Sequence, residues 1–242
     1  MVKNRLIRHA VDLLYPRRCP VCHRPAPYGE YICPECEASL PVIESGRCRK
    51  CGKPVEDHEK ICPDCQKTDH VYDRGIGIYR YEGVLKEAIS YMKYRGRREY
   101  GTALGVYAAR SARTELIIWH PDVIIPVPIH PKKLEERGFN QAEAIAEGVS
   151  SESGIPLAVK GLIRRDSTAA MKNLTVRERS ANLARAFEVG ENLSGYGSAL
   201  IVDDIYTTGA TVDGAATVLS QAGLSQIYFL SVCIGSGFMV SY

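Results

Sequence analysis

Eight of the nine cysteines fall between residues 19 and 65 as four Cys-x-x-Cys pairs: Cys19/Cys22, Cys33/Cys36, Cys48/Cys51 and Cys62/Cys65. The second two pairs repeat the first two at a fixed offset of 29 residues. Neighbours repeat as well: Arg18 matches Arg47, Pro25 matches Pro54, and Ile32-Cys33-Pro34 matches Ile61-Cys62-Pro63. A unit this small has little apolar core, so something other than hydrophobic burial must hold it. Four thiolates on two knuckles suit a tetrahedral Zn²⁺. A disulfide framework would fit a secreted chain, and nothing in this sequence is secretory. The expectation is two structural zinc ions whose binding largely drives folding of the module. Sequential pairing of the knuckles is the simplest arrangement, and the spacing also accommodates crossed pairing. Four thiolates per metal leave no open position for catalysis.

At 242 residues the chain has room for one α/β domain beside this module. The expected boundaries are residues 1–70 for an N-terminal helix and the duplicated ribbon, and residues 71–242 for the larger domain. Residues 5–14 carry apolar positions at helical spacing, without the uncharged core or cleavage site of a leader. No apolar run approaches the length of a membrane span, and a cytoplasmic location is expected. The charge balance, 31 Lys/Arg against 28 Asp/Glu, does not by itself argue for nucleic acid. Residues 1–70 hold 12 Lys/Arg and 10 Asp/Glu, so thiolates and zinc together would make the ribbon module net negative. Cys233 stands alone in a late apolar strand and reads as a core residue.

From about residue 71, helical and strand patterns alternate. Val84, Leu85, Ala88, Ile89 and Met92 form a helical stripe, and a second helix is expected over residues 103–113. Strands are expected over residues 122–128, 157–163 and 226–234, a helix around Ala142–Val149, and a capping box at residues 175–178. Alternation of this kind predicts a mainly parallel sheet flanked by helices, with ligands at the carboxyl ends of the strands.

One segment supplies the parts of a sugar-phosphate site. Residues 199–202 are a short apolar run, followed by Asp203 and Asp204, then Thr207-Thr208-Gly209-Ala210-Thr211 opening a helix marked by Val212, Ala215, Ala216 and Leu219. A helix start offers free N–H groups and a positive dipole end to a phosphate, and hydroxyls add to that cradle. Carboxylates beside it can accept from a diol or hold a metal. Gly-x-x-x-x-Gly-Lys-Ser/Thr is absent, which excludes a P-loop ATPase, and the late position of the acidic pair argues against a receiver domain. The basic loop Lys132-Lys133-Leu-Glu-Glu-Arg137-Gly138-Phe139-Asn140-Gln141 and the pair Arg164-Arg165, with Arg177 and Arg179 further on, could face the same site, Arg137 most of all. Lys93-Tyr94-Arg95-Gly96-Arg97-Arg98, flanked by Tyr91 and Tyr100, is the densest basic run and has the composition of a single-stranded DNA contact.

The acidic-pair segment resembles the ribose-phosphate signature of type I phosphoribosyltransferases. With the duplicated cysteines, Lys93–Arg97, Pro126-Val-Pro128, Arg137-Gly-Phe-Asn-Gln141, and Asn182 with Ala186-Phe187, nearly the whole chain resembles the competence protein ComF family. Arg164 and Thr168 match that family's Arg-x-x-x-Thr-x-x-Gln pattern, with Met171 at the glutamine position. The resemblance implies a type I phosphoribosyltransferase-like fold carrying a small N-terminal double zinc ribbon. It implies phosphoribosyl pyrophosphate with Mg²⁺ as ligand, the ribose diol on Asp203 and Asp204, and the 5′-phosphate on Thr207, Thr208, Gly209, Ala210 and Thr211. It further implies a role with single-stranded DNA in natural transformation beside a helicase partner. Purine-salvage relatives carry an aspartate where Thr207 stands, which argues against simple purine salvage and leaves the acceptor open. A module that keeps the fold to bind DNA or protein without turnover is the alternative.

Overall fold

The structure, a computed structural model, describes residues 17–44, 46–56, 58–165 and 184–235. The expected N-terminal helix, the capping box at residues 175–178, and Thr168, Met171, Arg177, Arg179 and Asn182 lie outside them. In chain order the elements are α1 (Pro34–Glu37), α2 (Pro63–Lys67), β1 (Arg74–Arg80), α3 (Gly83–Tyr94), α4 (Arg98–Ser111), α5 (Arg113–Trp119), β2 (Val123–Pro126), α6 (Pro131–Arg137), α7 (Gln141–Ser153), β3 (Leu162–Arg164), β4 (Phe187–Val189), β5 (Ser198–Tyr206), α8 (Ala210–Gln221) and β6 (Gln226–Ile234).

β1, β6, β5 and β2 form a sheet in that order, all parallel, while β3 and β4 make a small antiparallel ribbon. The expected strand over residues 157–163 divides in two: Leu157 bridges β2 beside Ile124, and β3 begins only at Leu162. The strand before the acidic pair runs further than its apolar stretch, so Asp203 and Asp204 lie inside β5.

Side chains alternate across the sheet, as a pleated strand requires. Leu200 and Val202 join one apolar cluster with α3, α4 and α7, while Ala199 and Ile201 join another with α8. The two zinc-ribbon units divide the same way. Cys19, Cys33 and Cys36 belong to the first cluster, and Cys48, Cys51 and Cys62 to the second. The stretch joining the two units runs antiparallel along β1, with Ile43 N donating to Ile78 O (3.1 Å) and Arg80 N to Pro41 O (2.9 Å). It thereby covers one edge of the sheet.

α4 and α7 cross at close range because glycine faces backbone on both sides. A Cβ on Gly105 would sit 2.0 Å from Ile145 O, and one on Gly148 would sit 2.2 Å from Thr102 O. α7 is fixed at its start by Asn140, whose Oδ1 accepts from Ala142 N (3.1 Å) while Nδ2 donates to Val127 O (3.0 Å).

Candidate functional site

The carboxyl end of β5 gathers the expected groups. Asp204 is buried and Asp203 partly so. Asp203 Oδ1 accepts from Asp204 N at 2.8 Å. Desolvation, then the neighbouring Asp204 charge, hold the Asp203 carboxyl well above the usual carboxylate range. Asp204 forms an ion pair with Lys93, which comes from the last turn of α3. Lys93 therefore belongs to the acidic site and not to a free basic strip.

β5 leads directly into the Thr207–Thr211 loop. Gly209 takes φ +84° at the N-cap of α8, a left-handed conformation that glycine adopts without strain. Thr207 is exposed, Thr208 and Thr211 are partly exposed, and among the described residues no hydrogen bond engages their hydroxyls. The first N–H groups of α8 are those a helix leaves without an internal partner. An acidic residue in this first turn, Asp213, would oppose an anion, but its carboxylate is buried and turned inward. His70 Nδ1 (2.7 Å) and Val71 N (2.9 Å) both bond it.

The Arg137–Gln141 motif is partly a chain corner. Gly138 caps the end of α6 in the left-handed region and Asn140 caps the start of α7. The Arg137 guanidinium bonds the Gln141 side chain and lies 5.9 Å from the centre of the exposed Tyr94 ring, next in sequence to Lys93. Other basic candidates are committed elsewhere. Arg98 pairs with Glu147 and Glu143 of α7, Arg164 is partly buried over the Phe187 ring, and Arg165 pairs with Glu188. Lys132 and Lys133 are exposed on α6. His130, expected as an ordinary loop histidine, accepts from Lys132 N at the start of α6 (3.3 Å).

A cavity of about 1010 Å³ opens away from this site, at Asp122, Arg113 and His120. Three of its charged groups are already engaged: Asp122 accepts from Gly197 N, Ser198 N and Ser198 Oγ, and Arg110 pairs with Glu152. The carboxyl ends of the strands, where a parallel sheet binds its ligands, hold the acidic pair and the threonine hydroxyls.

The eight cysteines form two clusters, Cys19/Cys22/Cys33/Cys36 and Cys48/Cys51/Cys62/Cys65, each with its sulfurs within 4.8 Å of one another. This is the sequential pairing. Burial, then neighbouring thiols, push Cys33 up to about 11 and Cys36 up to about 12, a cost that a bound cation removes. The donor sets fit structural zinc.

A double four-cysteine ribbon joined to a parallel α/β sheet, with an acidic pair entering a helix-capping loop, defines the class of this protein. Residues 10–66 match the double zinc ribbon domain family. The chain is 28% identical over 222 residues, 89% of each chain, to the DNA utilization protein YhgH of Escherichia coli O6:H1. It is 31% identical over 149 residues to the competence protein ComFC of Bacillus subtilis, covering 60% of this chain and 58% of that one. These relatives bear out the resemblance to the ComF family. A solved structure of the allosteric regulatory enzyme of purine biosynthesis overlays on 55% of this chain and 26% of its own at 17% identity, with a TM-score of 0.36.

Sequence reasoning missed His70, Asp213 and the pairing of Lys93 with Asp204. The one available signal was Asp213 itself, an acid set inside the apolar stripe of α8.

Proposed function

We propose that this chain binds phosphoribosyl pyrophosphate at the carboxyl end of β5 and acts in the handling of single-stranded DNA during natural transformation. The observation that carries the ligand is the continuity of Asp203-Asp204, the hydroxyls of Thr207, Thr208 and Thr211, and the start of α8 on one uninterrupted segment. In this reading the carboxylates accept from the ribose diol, and the α8 N–H groups with the threonine hydroxyls hold the 5′-phosphate. Arg137 and the Lys93 ammonium supply positive charge for the pyrophosphate. Mg²⁺ fits the same place, because crowded carboxylates and phosphate oxygens are the hard donors it takes, and bound there it would neutralise the leaving pyrophosphate. The residues themselves contribute orientation and preorganised charge for a ribosyl transfer whose acceptor is unassigned. The DNA role is supported by the names of the relatives, a DNA utilization protein and a competence protein.

Calorimetry with Mg²⁺ and phosphoribosyl pyrophosphate tests the ligand. Micromolar binding to the wild-type chain, lost in the Asp203→Ala/Asp204→Ala variant, is expected; a wild-type chain that takes up no ligand ends the reading.

A second reading rests on Tyr94, which is 76% exposed beside Arg137 and the basic residues Arg95 and Arg97. An exposed ring flanked by cations suits base stacking of a single strand. Tyr94→Ala with Arg95→Ala should weaken salt-dependent binding of an oligothymidine about tenfold or more, since stacking contributes about 1–3 kcal/mol per base. Unchanged binding would remove this surface from consideration.

A further inference from the structure

The loop between α2 of the second ribbon and β1 carries His70, whose side chain is wholly buried and is given no ligand contact in the reading above. Its Nδ1 donates to Asp213 Oδ2 at 2.7 Å, since a carboxylate only accepts. Its Nε2 is buried and, among the described residues, without a partner. An uncompensated buried nitrogen is costly, so the ring is held there by what surrounds it. That surrounding is the underside of the phosphate-type loop. A Cβ on Gly209 would stand 2.7 Å from His70 Cε1 and 2.7 Å from the Tyr206 hydroxyl. The His70 ring stacks on Tyr72 at 4.9 Å, and the Tyr72 and Tyr206 hydroxyls bond each other at 2.7 Å. Lys50 and Lys53 of the second ribbon lie 5.3 Å and 5.6 Å from the centres of those two rings.

His70 and the tyrosine pair thus form a floor beneath Gly209, and Asp213 ties that floor to the first turn of α8. Asp213 N in turn donates to Gly209 O at 2.8 Å, which closes the loop. The first ribbon is tied elsewhere: its His23 docks on Tyr91 and Tyr100 of α3 and α4.

We infer that His70 is a positioning residue for the Thr207–Thr211 loop, holding Asp213 off the anion and Gly209 in its left-handed turn, so that the second ribbon sets the shape of the phosphate cradle. The inference rests on the phosphate reading of that loop.

Three proteins decide it: the wild type, His70→Ala, and His70→Asn, whose amide nitrogen restores a donor at the place of Nδ1. Amide hydrogen exchange at Asp213, metal content and calorimetry with Mg²⁺ and phosphoribosyl pyrophosphate are measured on each full-length chain. In His70→Ala, exchange at Asp213 should accelerate at least tenfold and ligand affinity should fall at least tenfold, with two zinc ions per chain retained. His70→Asn should recover most of both. Unaltered exchange in His70→Ala overturns the inference. So does loss of zinc in that variant, because the loop would then be following the ribbon's collapse, and so does an asparagine that rescues neither quantity. A wild-type chain that binds no ligand sinks the proposed function alone, while exchange at Asp213 still judges His70.

Discussion

Two adjacent carboxylates at the end of a buried strand repel each other and lose hydration together. Asp204 is relieved by Lys93, but Asp203 has chiefly the backbone N–H of Asp204, and its carboxyl is held well above the ordinary range. The consequence for stability has a definite sign. Between the ordinary carboxylate value and the raised native value, the folded chain keeps a proton that the unfolded chain has lost. Stability contributed by this group therefore falls as pH rises through that window. Asp203→Asn removes the cost, so the variant should melt higher than wild type at pH 8, by about 2–4 °C for each kcal/mol relieved. The difference should vanish at pH 4. Equal melting temperatures at pH 8 would show that the native state does not strain this carboxyl. Ligand binding runs the other way. If the diol and Mg²⁺ need the ionised form, affinity for phosphoribosyl pyrophosphate should climb with pH below the native value, by about tenfold per unit at most, and then level off. Strain at Asp203 would then be a stability cost retained for binding.

Among the elements, the separation of α4 and α7 bears on the site, because α7 begins at the Arg137–Gln141 corner and α4 follows the Lys93 turn. Gly148→Ala pushes a methyl into Thr102 O and should destabilise the chain by about 2 kcal/mol, read as a lower urea midpoint with an unchanged slope. Arg137 would shift with α7, so ligand affinity should fall as well. The helical stripe of α3 and the strand β6 were legible in the sequence because their apolar periodicity is strong and uninterrupted. The four-cysteine sites were legible from chemistry and repetition. What stayed hidden depended on contacts between distant residues: His70 meets Asp213 across 143 positions, and Arg98 spends its charge on a neighbouring helix. The end of β5 was hidden for a subtler reason. Val232 and Cys233 are consecutive yet share one apolar cluster, as do Ile78 and Tyr79, and Ile205 in the same row packs against that cluster. This slip in alternation turns Tyr206 to the opposite cluster, toward the second ribbon. A two-residue period read from sequence places Tyr206 on the wrong face.

At the scale of the whole molecule, the duplication has become asymmetric. Both knuckles keep the same local bonds: His23 N donates to Cys19 O as Gly52 N does to Cys48 O, and the Arg18–Pro25 bridge repeats at Arg47–Pro54. Their surroundings differ. His23 adopts φ +60° and uses its ring to dock on helices. Gly52, its counterpart, is pressed so close to β1 that a Cβ would lie 2.9 Å from Ile76 Cα. The first ribbon therefore braces the helical layer, while the second lies against the sheet and the cradle loop. Metal loss should respect that division, because a four-cysteine unit of this size depends on its ion for folding. Cys22→Ser and Cys65→Ser each remove one thiolate from one cluster. Each protein should lose one of two zinc ions, measured by atomic absorption. Affinity for phosphoribosyl pyrophosphate should drop at least tenfold in Cys65→Ser and less than threefold in Cys22→Ser. Equal losses would mean that the ribbons act only as a common scaffold. A selective loss would mean that the second copy has been drawn into the site, so that metal bound by the second ribbon governs the Thr207–Thr211 loop far along the sequence.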